Sequence, residues 1–322
     1  MTQRTEYHEV NQVSPRVIED FIGQEQVTRR VRVALEAAWN DGTRLPHMLL
    51  TGPPGLGKTQ LAHLLAREVG ATLHEQLGQN LVRPMEIHGA LMEPEDRDVL
   101  LLDEVHEIPS LGQTCLYRAM ENGQIFLESQ RSAYCKPLNI ANMTLLAATT
   151  DPHRLLKPLV DRFKLILPFD YYSIDELVQI LQRRCLQLGW QVEEPVFTEI
   201  SQRGRGVPRV ALRLLESTYR TARSLNCSNI SLEHFALTCD LEALDRLGLG
   251  PDERKYLRVL AEHSRNNKPV RVGIVAAVLG LNQRTISQNI EPFLVRARLI
   301  TRSDEGRQLT SKGGEHLENN PV

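Results

Sequence analysis

Four short, almost wholly apolar runs punctuate the first 170 residues: His47–Thr51 (HMLLT), Val99–Asp103 (VLLLD), Thr144–Thr150 (TLLAATT) and Lys164–Phe169 (KLILPF). Uniformly apolar runs of this length suit strands buried on both faces, and helix-like segments separate them, so the pattern predicts a parallel α/β sheet. From Ser173 the period changes to that of amphipathic helices. Ser173 with Glu176 forms a capping-box signature ahead of ELVQILQRRCLQLGW, PRVALRLLESTYRTARSL is a second amphipathic segment, and Ser231 caps a third, EHFALTCDLEALDRL. Beyond LGLGPDE, a linker-like stretch around Gly248 and Pro251, come DERKYLRVLAEHS, GIVAAVLG, a turn at Leu281–Asn282, QRTISQNIEPFLVRA, and two short strands, LITRS and RQLT. Helix–turn–helix followed by a β-wing is a winged-helix plan. The predicted division is therefore 1–170 (α/β), 171–245 (small helical domain) and 246–322 (winged helix), with loose ends over 1–13 and about 313–322.

Composition places these elements in an ordinary globular chain of 322 residues, 41% hydrophobic and 24% charged, with formal net charge −2. No apolar run approaches the length of a membrane span, and the first residues lack the basic-then-apolar plan of a signal peptide. The five cysteines, Cys115, Cys135, Cys185, Cys227 and Cys239, are scattered without a CxxC pair. That pattern points to free thiols and a cytoplasmic setting rather than to disulfides or a zinc site. Charge is unevenly shared. From Arg246 onward 13 Lys and Arg face 8 Asp and Glu, against 25 and 32 before it. A basic C-terminal third hints at a polyanion partner.

The chemistry is concentrated in GPPGLGKT, which matches GxxxxGK[ST] between a predicted strand and a predicted helix. Gly52, Gly55 and Gly57 let backbone N–H groups turn toward phosphate oxygens, and Pro53, Leu56 and Gln60 complete the nucleotide cradle. Lys58 reaches the β- and γ-phosphates, Thr59 offers a hydroxyl to Mg²⁺, and the helix N-terminus faces the same anion. Forty-five residues after Lys58, VLLLDEVH delivers Asp103 and Glu104 to a strand end. Asp103 is the second metal ligand, and Glu104 activates the attacking water. His106 is read first as a local hydrogen-bonding group, with a direct part in hydrolysis as the alternative. Thr149 and Thr150 lie where a polar side chain could touch the γ-phosphate or the water, though paired threonines at a strand end are common. RGRGVPRVALRLL carries Arg203, Arg205 and Arg209 into a helix. A cation in a first helical turn opposes the dipole, so Arg209 calls for an anion, either a γ-phosphate or a surface carboxylate. Arg162 in PLVDRF has two readings too: a pair with Asp161 or another acid nearby, or a reach toward charge on a ligand or neighbouring subunit.

Together these pieces resemble the RuvB family of AAA+ motors, which drive branch migration of Holliday junctions. The likeness runs over about 14–316. It rests on DFIGQEQV (20–27), GPPGLGKTQLA (52–62), DVLLLDEVH (98–106), LYRAME (116–121), AATT (147–150), PLVDRF (158–163), RGRGVPRVALRLL (203–215) and IEPFL (290–294). The resemblance implies an ATP/ADP- and Mg²⁺-dependent ATPase and helicase acting on DNA in recombination and repair, assembled as a hexameric ring. It places Phe21 and Ile22 with Pro208 around the adenine, Thr150 and Arg209 as sensors of the γ-phosphate, and Arg162 as the finger that completes a neighbour's site. It also puts Arg302 and Arg307 on DNA phosphates at the wing turn. Three departures stand out. Ser14 and Val160 replace arginines usual in the family. Gln124–Met143, where the family carries an apolar hairpin for its adaptor RuvA, contains Glu128, Gln130, Arg131, Lys136 and Asn139. A relative with another adaptor, an ATP-switched DNA loader or initiator, and a scaffold with a silent ATP site are the competing readings. The retained Lys58, Asp103, Glu104 and Arg162 argue against the last.

Overall fold

The computed structural model describes residues 15, 17–127, 136–263 and 269–320. Ser14 and the expectation of a loose 1–13, together with Glu128, Gln130, Arg131 and Cys135, lie outside them. The chain divides into two compact units, 1–180 with 207–209, and 181–206 with 210–322.

The first unit is built on a parallel sheet. Its strands are β1 (Met48–Thr51), β2 (Leu73–Leu77), β3 (Val99–Asp103), β6 (Thr144–Thr149) and β7 (Leu165–Pro168), in the order β2-β3-β6-β1-β7. The three central strands are the uniformly apolar ones, buried along almost their whole length. Alternate residues Leu49, Leu100, Leu102, Leu145 and Ala147 share a core with Ile87 and Leu91 of α3 (Pro84–Met92) and with Leu116 and Ala119 of α4 (Ser110–Asn122). Helix α1 (Glu25–Asp41) precedes β1, α2 (Lys58–Glu68) follows it, and α5 (Lys157–Val160) lies between β6 and β7. Because β1, β6 and β3 are adjacent and parallel, their C-terminal residues Thr51, Thr149 and Asp103 emerge at one edge. That edge is where an open α/β sheet holds its ligand. The fifth strand, β2, was not expected. LHEQL is an edge strand with a partly exposed, polar-bearing pattern, so it lacks the apolar run of its neighbours.

Within Gln124–Met143, β4 (Gln124–Leu127) pairs antiparallel with β5 (Lys136–Asn139), Gln124 opposite Asn139.

In the second unit the expected helices are present as α8 (Pro208–Ser224) and α9 (Leu232–Leu241). Before them, α6 (Ile174–Leu188) crosses the boundary between the units. The Ser173–Glu176 capping box closes in both directions, at 2.7 and 3.2 Å. An additional helix, α7 (Glu194–Arg203), and a two-residue parallel pair, β8 (Gln191–Val192) with β9 (Asn229–Ile230), went unpredicted. The winged helix consists of α10 (Pro251–His263), α11 (Val272–Leu279), a helix over 283–296 with a π turn at Ile286–Ile290, β10 (Ile300–Arg302) and β11 (Arg307–Leu309). Tyr256, Leu257, Leu260, Val275, Ile286, Leu294 and Leu299 form its core.

Two expectations need correction here. The stretch around Gly248 is not a loose linker. Leu249 is fully buried, Asp245 Oδ1 accepts from the N–H groups of Leu247 and Leu249 (both 2.8 Å), and Arg205 pairs with Glu253 at 2.6 Å. Nor are residues 313–319 loose. Thr310 caps a helix over Ser311–Asn319, and its hydroxyl accepts from Gly313 N–H at 3.0 Å. His316 anchors that helix to Asp245 at 2.8 Å.

Candidate nucleotide site

The loop between β1 and α2 takes its shape from backbone geometry that most side chains disfavour. Gly52, Gly55 and Gly57 have φ of +134°, +79° and +99°. At Gly52 a Cβ would also stand 2.5 Å from the Phe169 carbonyl oxygen, so glycine is required twice over. Gly57 is the N-cap of α2, which presents the positive end of its dipole to the loop. Lys58 Nζ donates to the carbonyls of Gly52 (2.6 Å) and Pro53 (2.8 Å). Burial lowers its pKa, opposed by the carboxylates of Glu104 and Asp103. A buried cation curled inside a ring of loop carbonyls needs an anion to complete it, and a polyphosphate has the matching charge.

The two candidate metal ligands lie side by side. Thr59 Oγ1 donates to Asp103 Oδ2 at 3.0 Å, the side chains arriving from α2 and from the end of β3. A hydroxyl and a carboxylate side by side are the hard oxygen donors that Mg²⁺ takes. Next to them Glu104, at φ +50°, has Oε2 accepting from Thr150 Oγ1 (2.9 Å) and from Thr150 N–H (3.2 Å). A non-glycine residue in the left-handed region at the end of a sheet strand is the kind of strain that active sites retain.

Phe21 is half-buried with its ring edge-on to Phe169, centroids 6.5 Å apart, and it lies against Gly57. Ile22 is half-buried beside it. Leu56 has no exposed side chain, so any ligand contact it makes is through its backbone. Pro208 opens α8, and Val207–Arg209 belong with the first unit. Arg209 N–H donates to Gly55 O at 3.4 Å, with its side chain exposed. Arg203 and Arg205 do not share that helix start. Arg203 ends α7 and pairs with Glu199 at 2.6 Å, and Arg205 is committed to Glu253.

Arg162 meets the first of its two readings within the protomer. Its Nη2 lies 2.7 Å from Glu121 Oε2 of α4, a partner from the LYRAME stretch rather than Asp161. The pair is half-exposed, and Arg162 Nε has no acceptor. The wing arginines differ from each other. Arg307 is buried, donating to Glu291 Oε1 and Oε2 at 2.8 and 3.1 Å, while Glu291 also accepts from Tyr256 Oη at 3.0 Å. Its expected place on a DNA phosphate is therefore corrected: the guanidinium is spent on a buried carboxylate. Arg302, its cross-strand partner, is 55% exposed and 3.7 Å from Glu291.

Two residues at the site had no sequence signal strong enough to find them, and a third took a different place from its neighbour. Tyr172 Oη donates to Leu56 O at 3.0 Å and pins the phosphate loop. Gly78, at the end of β2, lets the chain approach the acidic turn, since a Cβ there would sit 2.3 Å from Glu104 O. Thr149, offered only jointly with Thr150, is fully buried and bonded to His106 at 3.0 Å, which leaves Thr150 as the threonine facing Glu104.

Family models match the chain nearly end to end. The Holliday junction DNA helicase RuvB P-loop domain matches residues 13–169, the RuvB AAA lid domain 172–237, and the RuvB C-terminal winged-helix domain 246–318. A Holliday junction branch migration complex subunit RuvB from Neorickettsia sennetsu is 34% identical over 306 residues, 94% of this chain and 92% of that protein. Its counterpart from Thermotoga petrophila is 35% identical over 318 residues, covering 98% and 95%. Among solved structures, the Thermotoga maritima RuvB Holliday junction branch migration motor superposes with a TM-score of 0.84 at 34% identity, over 94% of this chain and 97% of that one. A mutant of the same protein reaches 0.86 over 96% and 100%. With the phosphate loop, the Thr59–Asp103 pair and the winged helix all in place, the chain belongs to the RuvB family.

Proposed function

We propose that this chain is an ATP-hydrolysing motor subunit that moves branched or duplex DNA without regard to sequence, as the branch migration named for its relatives requires. Three domains divide the work: 1–170 and 171–245 bind and sense the nucleotide, and 246–322 holds DNA. The residues of the loop, Gly52 to Gln60, enclose the phosphates of ATP or ADP, with Lys58 leaving its carbonyl partners for the β- and γ-oxygens. Phe21, Ile22 and Pro208 line the adenine. A Mg²⁺ ion held by Thr59 and Asp103 supplies charge neutralisation at the phosphates. Glu104 takes the proton of the attacking water. Thr150 and Arg209 report the presence of the γ-phosphate.

Arg162 leaves Glu121 to reach the ATP of the next subunit, which makes a closed ring, hexameric as in the family, the working form. Arg302 holds a DNA phosphate. The polar content of the adaptor segment favours a partner other than a standard RuvA, and a cytoplasmic setting accords with scattered thiols.

The observation that carries this reading is the cluster at the end of a parallel sheet in which Thr59 is bonded to Asp103, Thr150 to Glu104, and Lys58 of the phosphate loop feels the charge of both carboxylates. The test mixes Lys58→Ala subunits with Arg162→Ala subunits under conditions where both assemble together. Each alone is expected to be inactive, and the mixture to regain DNA-stimulated ATPase. Absence of recovery would remove the trans-acting role of Arg162. DNA binding in ATP with no movement of a junction would point instead to a loader.

A further inference from the structure

His106 is itself buried and sits at the centre of a polar chain that the nucleotide reaction, as described so far, leaves without a task. It follows Glu104 in the short 3-10 turn Val105–Glu107 and is 5% exposed. Its Nδ1 faces Thr149 Oγ1 at 3.0 Å and Glu104 Oε2 at 3.2 Å. Its Nε2 faces Glu107 Oε1 at 3.2 Å, and that oxygen also accepts from Arg154 Nη1 at 3.0 Å.

The donor and acceptor assignments follow from chemistry. An ionised carboxylate only accepts, so Nε2 carries a hydrogen and gives it to Glu107. By the same rule Nδ1 holds Glu104 Oε2 only by donating to it, and Thr149 Oγ1, which accepts from Asp151 N–H at 3.1 Å, offers Nδ1–H a second acceptor. The ring is thus held at Nε2 by Glu107, and its Nδ1–H is shared between Thr149 Oγ1 and Glu104 Oε2. Thr150 grips the same oxygen, Oε2, through its hydroxyl and its N–H. Glu104 is exposed enough to turn (38%), and the groups that hold it come from the turn after β3 (His106) and the end of β6 (Thr150).

We propose that His106 is a positioning residue for Glu104, fixing with Thr150 the seat from which that carboxylate meets the attacking water. Glu107 and Arg154 form the outer anchor of the ring. The inference rests on Glu104 being the group that activates water. Misplacement of a reacting carboxylate by an ångström lowers turnover by roughly 10²-fold without changing how tightly substrate binds.

Two amides separate this role from plain packing, because an asparagine amide overlays Nδ1 of histidine and a glutamine amide overlays Nε2. The experiment measures steady-state ATP hydrolysis and fluorescent ADP binding in the full chain carrying His106→Ala, His106→Asn or His106→Gln. The expected result is a kcat roughly 10- to 100-fold lower for His106→Ala with KM and ADP affinity within about twofold. Partial rescue is expected from Asn and none from Gln. Rescue by Gln at least as good as by Asn, or a loss confined to KM and ADP affinity, overturns the proposal. If the buried substitutions do not fold, Glu107→Gln decides. A kcat lowered about threefold or more at unchanged KM supports the anchor, and an unchanged kcat overturns it. Glu104→Gln is measured alongside. Full hydrolysis by that variant would overturn the assignment of Glu104 itself and this inference with it, whereas its inactivity beside a normal His106→Ala overturns the inference alone.

Discussion

Arg162 and Arg307 both lie beside one glutamate, yet their surroundings give the two pairs opposite meanings. Arg162 meets Glu121 at 2.7 Å with side chains 36% and 50% exposed. Arg307 meets Glu291 at 2.8 Å with side chains 10% and 2% exposed. An ion pair open to water is nearly balanced by hydration and separates at little cost. A pair buried together is locked, because removing one partner leaves an unsolvated charge behind. The first arrangement suits an arginine that has to leave its own subunit, and the second suits one that fastens a wing to a helix. Sequence alone cannot tell the two apart. PLVDRF and the wing turn each offer an arginine near acids, and only the fold decides which one water reaches.

The comparison can be broken at four points. The largest effect is expected at Arg162→Ala. If the free arginine completes a neighbouring site, DNA-stimulated ATP turnover falls by about 10³-fold or more while unfolding is unchanged. Turnover within a few-fold of normal would make Arg162 no more than a surface cation. Next comes Arg307→Ala, which strands the buried Glu291 carboxylate. Denaturant unfolding of the winged helix should show a loss of about 3–5 kcal/mol. Unaltered unfolding with weakened DNA binding would return Arg307 to the phosphate contact that its sequence position suggested. Arg302→Ala is the mirror case. Its stability should stay within about 0.5 kcal/mol of the parent, with DNA affinity lowered alike for all sequences and the salt slope reduced by about 1. The smallest effect belongs to Glu121→Gln, where turnover should change by less than about tenfold because the exposed pair holds little energy. A collapse as deep as that of Arg162→Ala would mean that Glu121 does more than host the resting guanidinium.

The same contrast explains how much could be read before the fold was known. The phosphate loop was legible because its conformation is local: glycines at fixed spacing, one lysine, one hydroxyl and a helix start. Central strands were legible because burial on both faces leaves an unbroken apolar run. LHEQL was not, since an edge strand shares its polar face with water. The tight connection at Leu249 was missed because Gly and Pro punctuate packed turns and loose linkers alike, and the Asp245 carboxylate that organises it acts across the fold. Ser311–Asn319 was missed because two glycines weaken its helical pattern, while Thr310 and the His316–Asp245 contact hold it. Gly78, Tyr172 and His106 gain their roles from neighbours 26 to 116 positions away, or from a ring whose two nitrogens face opposite glutamates.

The most direct test of the account is ATP-driven movement of a synthetic Holliday junction by the purified chain, measured with and without the RuvA of the same organism, beside Glu104→Gln as the inactive control. The account predicts junction movement that requires ATP hydrolysis and is lost with Glu104→Gln, and little dependence on RuvA given the polar segment at Gln124–Met143. ATP hydrolysis with no junction movement under either condition would contradict it.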